Sequence, residues 1–270
     1  MRLLFLGDIF GRSGRMAVTE QLPGLRQQLR LDFVVANGEN AAGGFGITAA
    51  IAADLFDAGV DCITTGNHAF DQRKELALFD EERRVLRPAN FPQGNPGWGA
   101  GLYESQKGYR VLVINAQGQT FMPPTDSMAP AIERELAGMD LAGEADAIIV
   151  DVHAEANSEK YSVGHWLDGK VSLVCGSHTH IPTADVQILP GGTAFQADAG
   201  MCGDYDSVIG MEKSVPVDSF LTKMKTARMQ PAAGEATICG ILVETGPDGL
   251  AINAQPLRVG GRLAQAIPSF

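Results

Sequence analysis

His178 and His180 close the run Leu173 to His180, Leu-Val-Cys-Gly-Ser-His-Thr-His, an apolar stretch that stops at Gly176 and then presents two imidazoles. In extended backbone, residues i and i+2 project from one face, so the pair is predicted to point together, as two ligands of a metal ion would. Two exposed loop histidines would give the same pattern. The other histidines narrow the choice, because the chain has only five and both His68 and His153 also follow apolar runs that read as buried parallel strands. Open α/β sheets bind ligands at the carboxyl ends of their strands, where polar residues distant in sequence meet. Asp8, Glu39 with Asn40, and Asn67 stand at equivalent places.

Each of these residues has an ordinary structural reading. Asp8 could cap the helix after it, Glu39 and Asn40 could be solvated, Asn67 could sit in a left-handed turn, and His153 could be a satisfied core histidine. Their joint occurrence at strand ends, mostly beside a glycine, favours a site. Carboxylates, amide oxygens and imidazoles together form a mixed oxygen and nitrogen donor set, suited to Mn, Fe or Zn and unlike a calcium or iron–sulfur site. These candidates are too many for one tetrahedral ion. Two ions sharing a carboxylate fit them, and in phosphate-ester hydrolases such pairs lie about 3.5 to 4 Å apart.

The elements that must carry these residues alternate. Strands are predicted over 3–6, 33–36, 62–65, 110–115, 147–150, 171–175 and 193–198, with 237–243 and 250–257 as a terminal antiparallel pair. Helices are predicted after Gly11, over 48–58, 72–80 and 129–137. A glycine-rich loop spans Gly43 to Gly46, and a Pro/Gly-rich loop runs from Phe91 to Gly101. This order predicts a layered α/β fold, a β-sandwich flanked by helices. The backbone amides opening the helix after Gly11 could accept an anion, although the Walker spacing is absent. Arg12 and Arg15 could orient phosphate or lie on a solvated helix face. His165 fits no motif and reads as structural or surface.

The 270 residues suffice for one domain with a sizeable core, taken as 1–270. With 45% hydrophobic and 20% charged residues the composition is that of a globular protein, and no apolar run is long enough for a membrane span. The first residues are too short and too early acidic for a signal peptide, which points to the cytoplasm. Four cysteines without Cys-x-x-Cys spacing read as buried, reduced thiols. A net charge of −11 disfavours duplex DNA as a partner and leaves a small phosphorylated ligand held by metal.

The order Gly7-Asp8, a bridging acid at Glu39, Gly66-Asn67-His68, a lone His153, then Gly176-Ser177-His178-Thr179-His180 resembles the calcineurin-like metallophosphoesterase superfamily. The wording Asn37-Gly38-Glu39-Asn40-Ala41-Ala42-Gly43-Gly44, Arg87-Pro88-Ala89-Asn90-Phe91-Pro92, His153-Ala154-Glu155 and Gly200-Met201 resembles its YmdB-like bacterial branch, over nearly the whole chain. Two positions depart from the wider superfamily: Asp8-Ile9-Phe10 replaces Asp-x-His, and Glu39 replaces an Asp. The branch shares both.

The resemblance implies that Asp8, Glu39 and His180 hold one ion and that Glu39, Asn67, His153 and His178 hold the other. It places Asn40 at the first ion or on the substrate phosphate, and makes His68 the general acid. The implied activity is hydrolysis of cyclic nucleotides, especially 2′,3′-cyclic nucleotide monophosphates, by in-line attack of a metal-bridging hydroxide, with two divalent or trivalent ions, Fe or Mn ahead of Zn. A phosphomonoesterase or nucleotidase, or a regulatory protein that binds RNA-processing partners, stays open beside it, as does a homo-oligomer.

Overall fold

The computed structural model describes residues 1–225 and 227–269. In chain order the first half holds β1 Arg2–Leu6, β2 Asp8–Ile9, α1 Gly11–Leu29, β3 Phe33–Asn37, α2 Ala49–Asp57, β4 Cys62–Thr64, α3 Ala77–Glu81, β5 Ala100–Glu104, β6 Arg110–Gln117 and α4 Met128–Leu136. The second half holds β7 Ala147–His153, α5 Asn157–Trp166, β8 Leu173–Ser177, β9 Gln187–Ile188, β10 Ala194–Gln196, β11 Met201–Asp204, α6 Ser214–Thr222, β12 Ala236–Thr245 and β13 Ala251–Val259.

One sheet has the order β2-β11-β12-β1-β3-β4, with β13 on β12, and the other β5-β6-β7-β8-β10-β9. The period of two along each strand sorts side chains into separate cores. Leu3, Phe5, Phe33 and Val35 pack with Val111, Val113, Ile149 and Leu173 between the sheets. Leu4, Leu6, Val34 and Ala36 face α1 and α2 on one outer side, and Leu112, Ile148 and Val174 form a core with Ile132 of α4 and Val163 of α5 on the other. The layers therefore run helix, sheet, sheet, helix. The strands β1, β3 and β4 are mutually parallel, as are β6, β7, β8 and β10, so each parallel set ends along one edge.

Several predicted bounds shift. Strand β7 continues three residues further than predicted, through His153, so His153 is the last strand residue and shares a face with Asp151. The helix predicted over 72–80 is a 3-10 turn at Arg73–Glu75 followed by the short α3. Gln72 breaks the run, because its side chain donates to Phe45 O at 2.6 Å and its backbone leaves the helical region. Strands β2, β5, β9 and β11 and helices α5 and α6 have no counterpart among the predicted elements. All four cysteines are buried and free. Among the described residues no helix is long and apolar enough to cross a membrane.

Candidate metal centre

Three strand ends surround Asp151. Asn37 at the end of β3 donates to its Oδ2 at 3.1 Å, Thr64 at the end of β4 donates at 2.6 Å, and Ser177 at the end of β8 donates to Oδ1 at 2.7 Å. With its hydrogen committed to Asp151, the Ser177 hydroxyl accepts from His153 Nδ1 at 2.8 Å. This relay fixes the imidazole so that Nε2 is the atom turned toward the remaining donors.

Those donors converge on it. His153 Nε2 lies 3.0 Å from Glu39 Oε1, 3.2 Å from Asn67 Oδ1 and 3.1 Å from His178 Nδ1. Among the described residues, Glu39, His153 and His178 form the one trio of acidic, histidine or cysteine side chains whose ligand atoms all lie within 4.8 Å. Gly66 makes the approach feasible, since a Cβ there would fall 2.1 Å from His153 Cδ2 and 2.5 Å from Glu39 Oε2. Without a cation the cluster must be held by protons. Burial raises the Glu39 carboxyl, but the charge and hydrogen bond of His153 outweigh it and hold Glu39 down to about 2. Burial lowers His153, and Glu39 outweighs that in turn, lifting it to about 9. Burial and the charge of His153 press His178 down to about 3, so its ring stays neutral. A cation can replace the shared proton and serve every lone pair at once.

Asp8, His180 and Asn40 lie beside this cluster as a looser group. Asp8 Oδ2 accepts from the His178 amide at 3.1 Å, whereas Oδ1 is buried without any hydrogen-bond partner, 3.9 Å from His180 Nε2. A carboxylate oxygen so placed fits a bound cation. Burial lifts Asp8 to about 6, despite the opposing charges of His180 and His153. His180 Nδ1 donates to Ile209 O at 2.8 Å, turning Nε2 to within 3.2 Å of Asn40 Oδ1. Asn40 Nδ2 in turn donates to Gly44 O at 3.0 Å, which commits the amide oxygen to the site. Asp8 caps no helix: α1 has Phe10 at its N-cap, with no side-chain bond there.

The His-x-His pair departs from the extended geometry. Strand β8 ends at Ser177, and His178 and His180 have φ of 99° and 67°. The left-handed turn sends the two rings apart, His178 to the first cluster and His180 to the Asp8 group. Such backbone is costly for residues with a Cβ and persists where its surroundings over-determine it.

His68 stands outside the cluster. Its amide donates to Glu39 Oε2 at 3.1 Å and its Nδ1 lies 2.7 Å from Asp71 Oδ2. It lines a cleft of about 460 Å³ with Glu39, Asn40, His178 and His180, and among the described lining residues none is Lys or Arg. Arg15 donates to Ala41 O and Arg12 does not line the cleft. At the predicted anion site the first amide of α1 is taken, since Gly11 N donates to Asn40 O at 3.0 Å. His165 is exposed on α5. Asp151, Ser177, Asp71 and Glu155, whose Oε2 lies 3.4 Å from His178 Nε2, were not foreseen from the sequence. Of these, Asp71 stands three residues after His68, while Ser177 and Glu155 lie inside the Gly-Ser-His-Thr-His and His-Ala-Glu motifs without a predicted role.

The sequence profile of the YmdB-like protein family matches residues 4–257. The 2′,3′-cyclic-nucleotide 2′-phosphodiesterase of Bacillus subtilis (strain 168) is 41% identical over 244 residues, 90% of this chain and 91% of that protein. A hypothetical protein from Thermus thermophilus superposes with a TM-score of 0.90 at 39% identity, covering 97% of this chain and 100% of that one. A phosphatase from Mycoplasma pneumoniae gives a TM-score of 0.89 at 30% identity over 96% of this chain and 93% of that one. The layered architecture is the calcineurin-like metallophosphoesterase fold.

Proposed function

The chain belongs to the YmdB-like protein family, and from that premise we propose that it is a metal-dependent phosphodiesterase acting on 2′,3′-cyclic nucleotide monophosphates. The observation that carries this reading is the convergence of Glu39, Asn67 and His178 on His153 Nε2 at 3.0 to 3.2 Å, beside a buried Asp8 oxygen with no donor. One ion would be held by Glu39, Asn67, His153 and His178, and the other by Asp8, Glu39, His180 and Asn40. Two such cations, Fe or Mn ahead of Zn, would neutralise phosphate charge and supply an activated water.

The chain's own groups do the rest. His68, steadied by Asp71, protonates the departing ribose oxygen. Asn40 keeps its oxygen toward His180 and its nitrogen on Gly44 O, which favours a ligand role over a contact with phosphate. Ile209, Met211, Pro216 and Met229 give the cleft an apolar wall suited to a nucleobase. A cleft whose described lining holds no Lys or Arg suits a singly charged diester better than a doubly charged monoester. The free, buried cysteines fit work in the reducing cytoplasm.

The test is a substrate panel with the metal-loaded protein: 2′,3′- and 3′,5′-cyclic nucleotides, a nitrophenyl phosphodiester, and 3′- and 5′-monophosphates. The 2′,3′-cyclic nucleotides should turn over fastest, and a chelator should abolish turnover. Preference for monophosphates would favour a nucleotidase, and no turnover with two metals bound would leave a binding protein.

A further inference from the structure

Lys160 is the only buried lysine among the described residues, and it is fully buried, on the face of α5 that packs against the second sheet. Its stem crosses Gly176, where an added Cβ would lie 2.6 Å from Lys160 Cδ and 1.8 Å from Ala197 O. Its ammonium reaches Asp198, also fully buried, at 2.8 Å. The same carboxylate oxygen accepts from the Thr179 amide at 3.0 Å and the Thr179 hydroxyl at 2.8 Å, while the other oxygen accepts from the Gly200 amide at 2.8 Å. Thr179 is the residue between His178 and His180.

We propose that Lys160 and Asp198 are a positioning pair: by gripping Thr179 they hold the left-handed turn that assigns His178 to one donor group and His180 to the other. The proposal rests on the reading that these histidines bind metal. Burying an ion pair is weak support for stability, because desolvation of both charges offsets their attraction. This pair is better explained by what it holds. Two non-glycine residues of positive φ flank one threonine, and the amide and hydroxyl of that threonine both end on Asp198. Lys160 Nζ donates to the same Asp198 oxygen that takes the Thr179 amide and hydroxyl, and so holds the carboxylate in place against the turn. Removal of Lys160 should therefore loosen both metal sites together, although it touches no ligand.

The test is a Mn²⁺ titration of the full-length protein followed by electron paramagnetic resonance. Lys160→Met should weaken both Mn²⁺ ions by roughly 10- to 100-fold, the usual cost of losing an outer-shell partner. Val163→Ala, on the same helix face and buried, serves as the control for lost packing: it should lower the Tm of the metal-free protein yet leave Mn²⁺ affinity as in wild type. Wild-type affinity in Lys160→Met, or equal weakening in Val163→Ala, would overturn the assignment. Where Lys160→Met does not fold, hydrogen exchange in metal-free wild type decides. The Thr179 amide should then exchange at least about 100-fold more slowly than an open amide, and unprotected exchange would overturn the proposal. Wild type that takes up no Mn²⁺ sinks the metal reading, and the proposal with it, and is told apart from a failure of the pair by the wild-type titration alone.

Discussion

His68 Nδ1 lies 2.7 Å from Asp71 Oδ2, so a carboxylate three residues on engages one ring nitrogen and leaves Nε2 for the cleft. A proton donor in this position should matter according to the leaving group. His68→Ala should keep two metals and slow hydrolysis of a 2′,3′-cyclic nucleotide by roughly 10²- to 10⁴-fold. A nitrophenyl phosphodiester, whose leaving group needs no proton, should lose far less. Equal losses on both substrates would exclude the donor role.

Glu39 touches the His153 ring through Oε1 and the His68 amide through Oε2, which puts it at the junction of the site. Glu39→Gln should bring turnover close to background and reduce metal content at both positions, with the circular dichroism spectrum unchanged. Near-native metal content and activity would remove it from the shared position.

The two donor groups should empty separately. His180→Ala should chiefly weaken the ion near Asp8, and His153→Ala the ion near Asn67. Anomalous scattering from crystals of each variant reads which peak falls. Loss of the same peak in both would contradict the division.

Metal uptake should release protons. In the metal-free protein His153 is raised from 6.5 to about 9, so at pH 7 its ring is charged and must lose a proton to become a ligand. The pairing with Glu39, itself lowered from 4.5 to about 2, has a signed consequence for stability. The His153 contribution is full below about 6.5 and lost as pH rises through about 9, and the Glu39 contribution is full above about 4.5 and lost as pH falls through about 2. Calorimetry of Mn²⁺ binding in buffers of differing ionisation enthalpy should therefore show about one proton released from this ring at pH 7, falling away above pH 9. No buffer dependence at pH 7 would oppose it.

Ser177→Ala removes the acceptor that fixes the His153 tautomer and leaves Asp151 short of one donor. The ion near Asn67 should bind roughly 10- to 100-fold more weakly, with the His180 side less affected. A direct two-site Mn²⁺ titration checks this, and unchanged affinity at both sites would mean that the relay is idle.

Much of the fold was legible because its signals are local. The alternation of Leu3 and Phe5 against Leu4 and Leu6 decides which side chains face between the sheets and which face the helices, and that alternation is visible in the chain itself. The donor types and their places near strand ends were legible for the same reason. Helix α5 was not, because its buried face carries Lys160, a charge that pairs with Asp198, 38 residues further on.

The sequence by itself determined the donors available, Asp8, Glu39, Asn40, Asn67, His68, His153, His178 and His180, and the strands that deliver them. Tertiary structure decided which of them meet. Asn67 and His153 are 86 residues apart, and Asn37 and Asp151 are 114 apart. They touch because two sheets stack so that the ends of β3, β4, β7 and β8 share one edge, a relation set by packing of the whole core. It also decided the tautomer of His153 through Ser177 and the divergence of His178 from His180. Strand periodicity predicts one face for those two rings, whereas the hydrogen bonds of Asp198 to Thr179 accompany a left-handed turn that turns them to opposite donor groups.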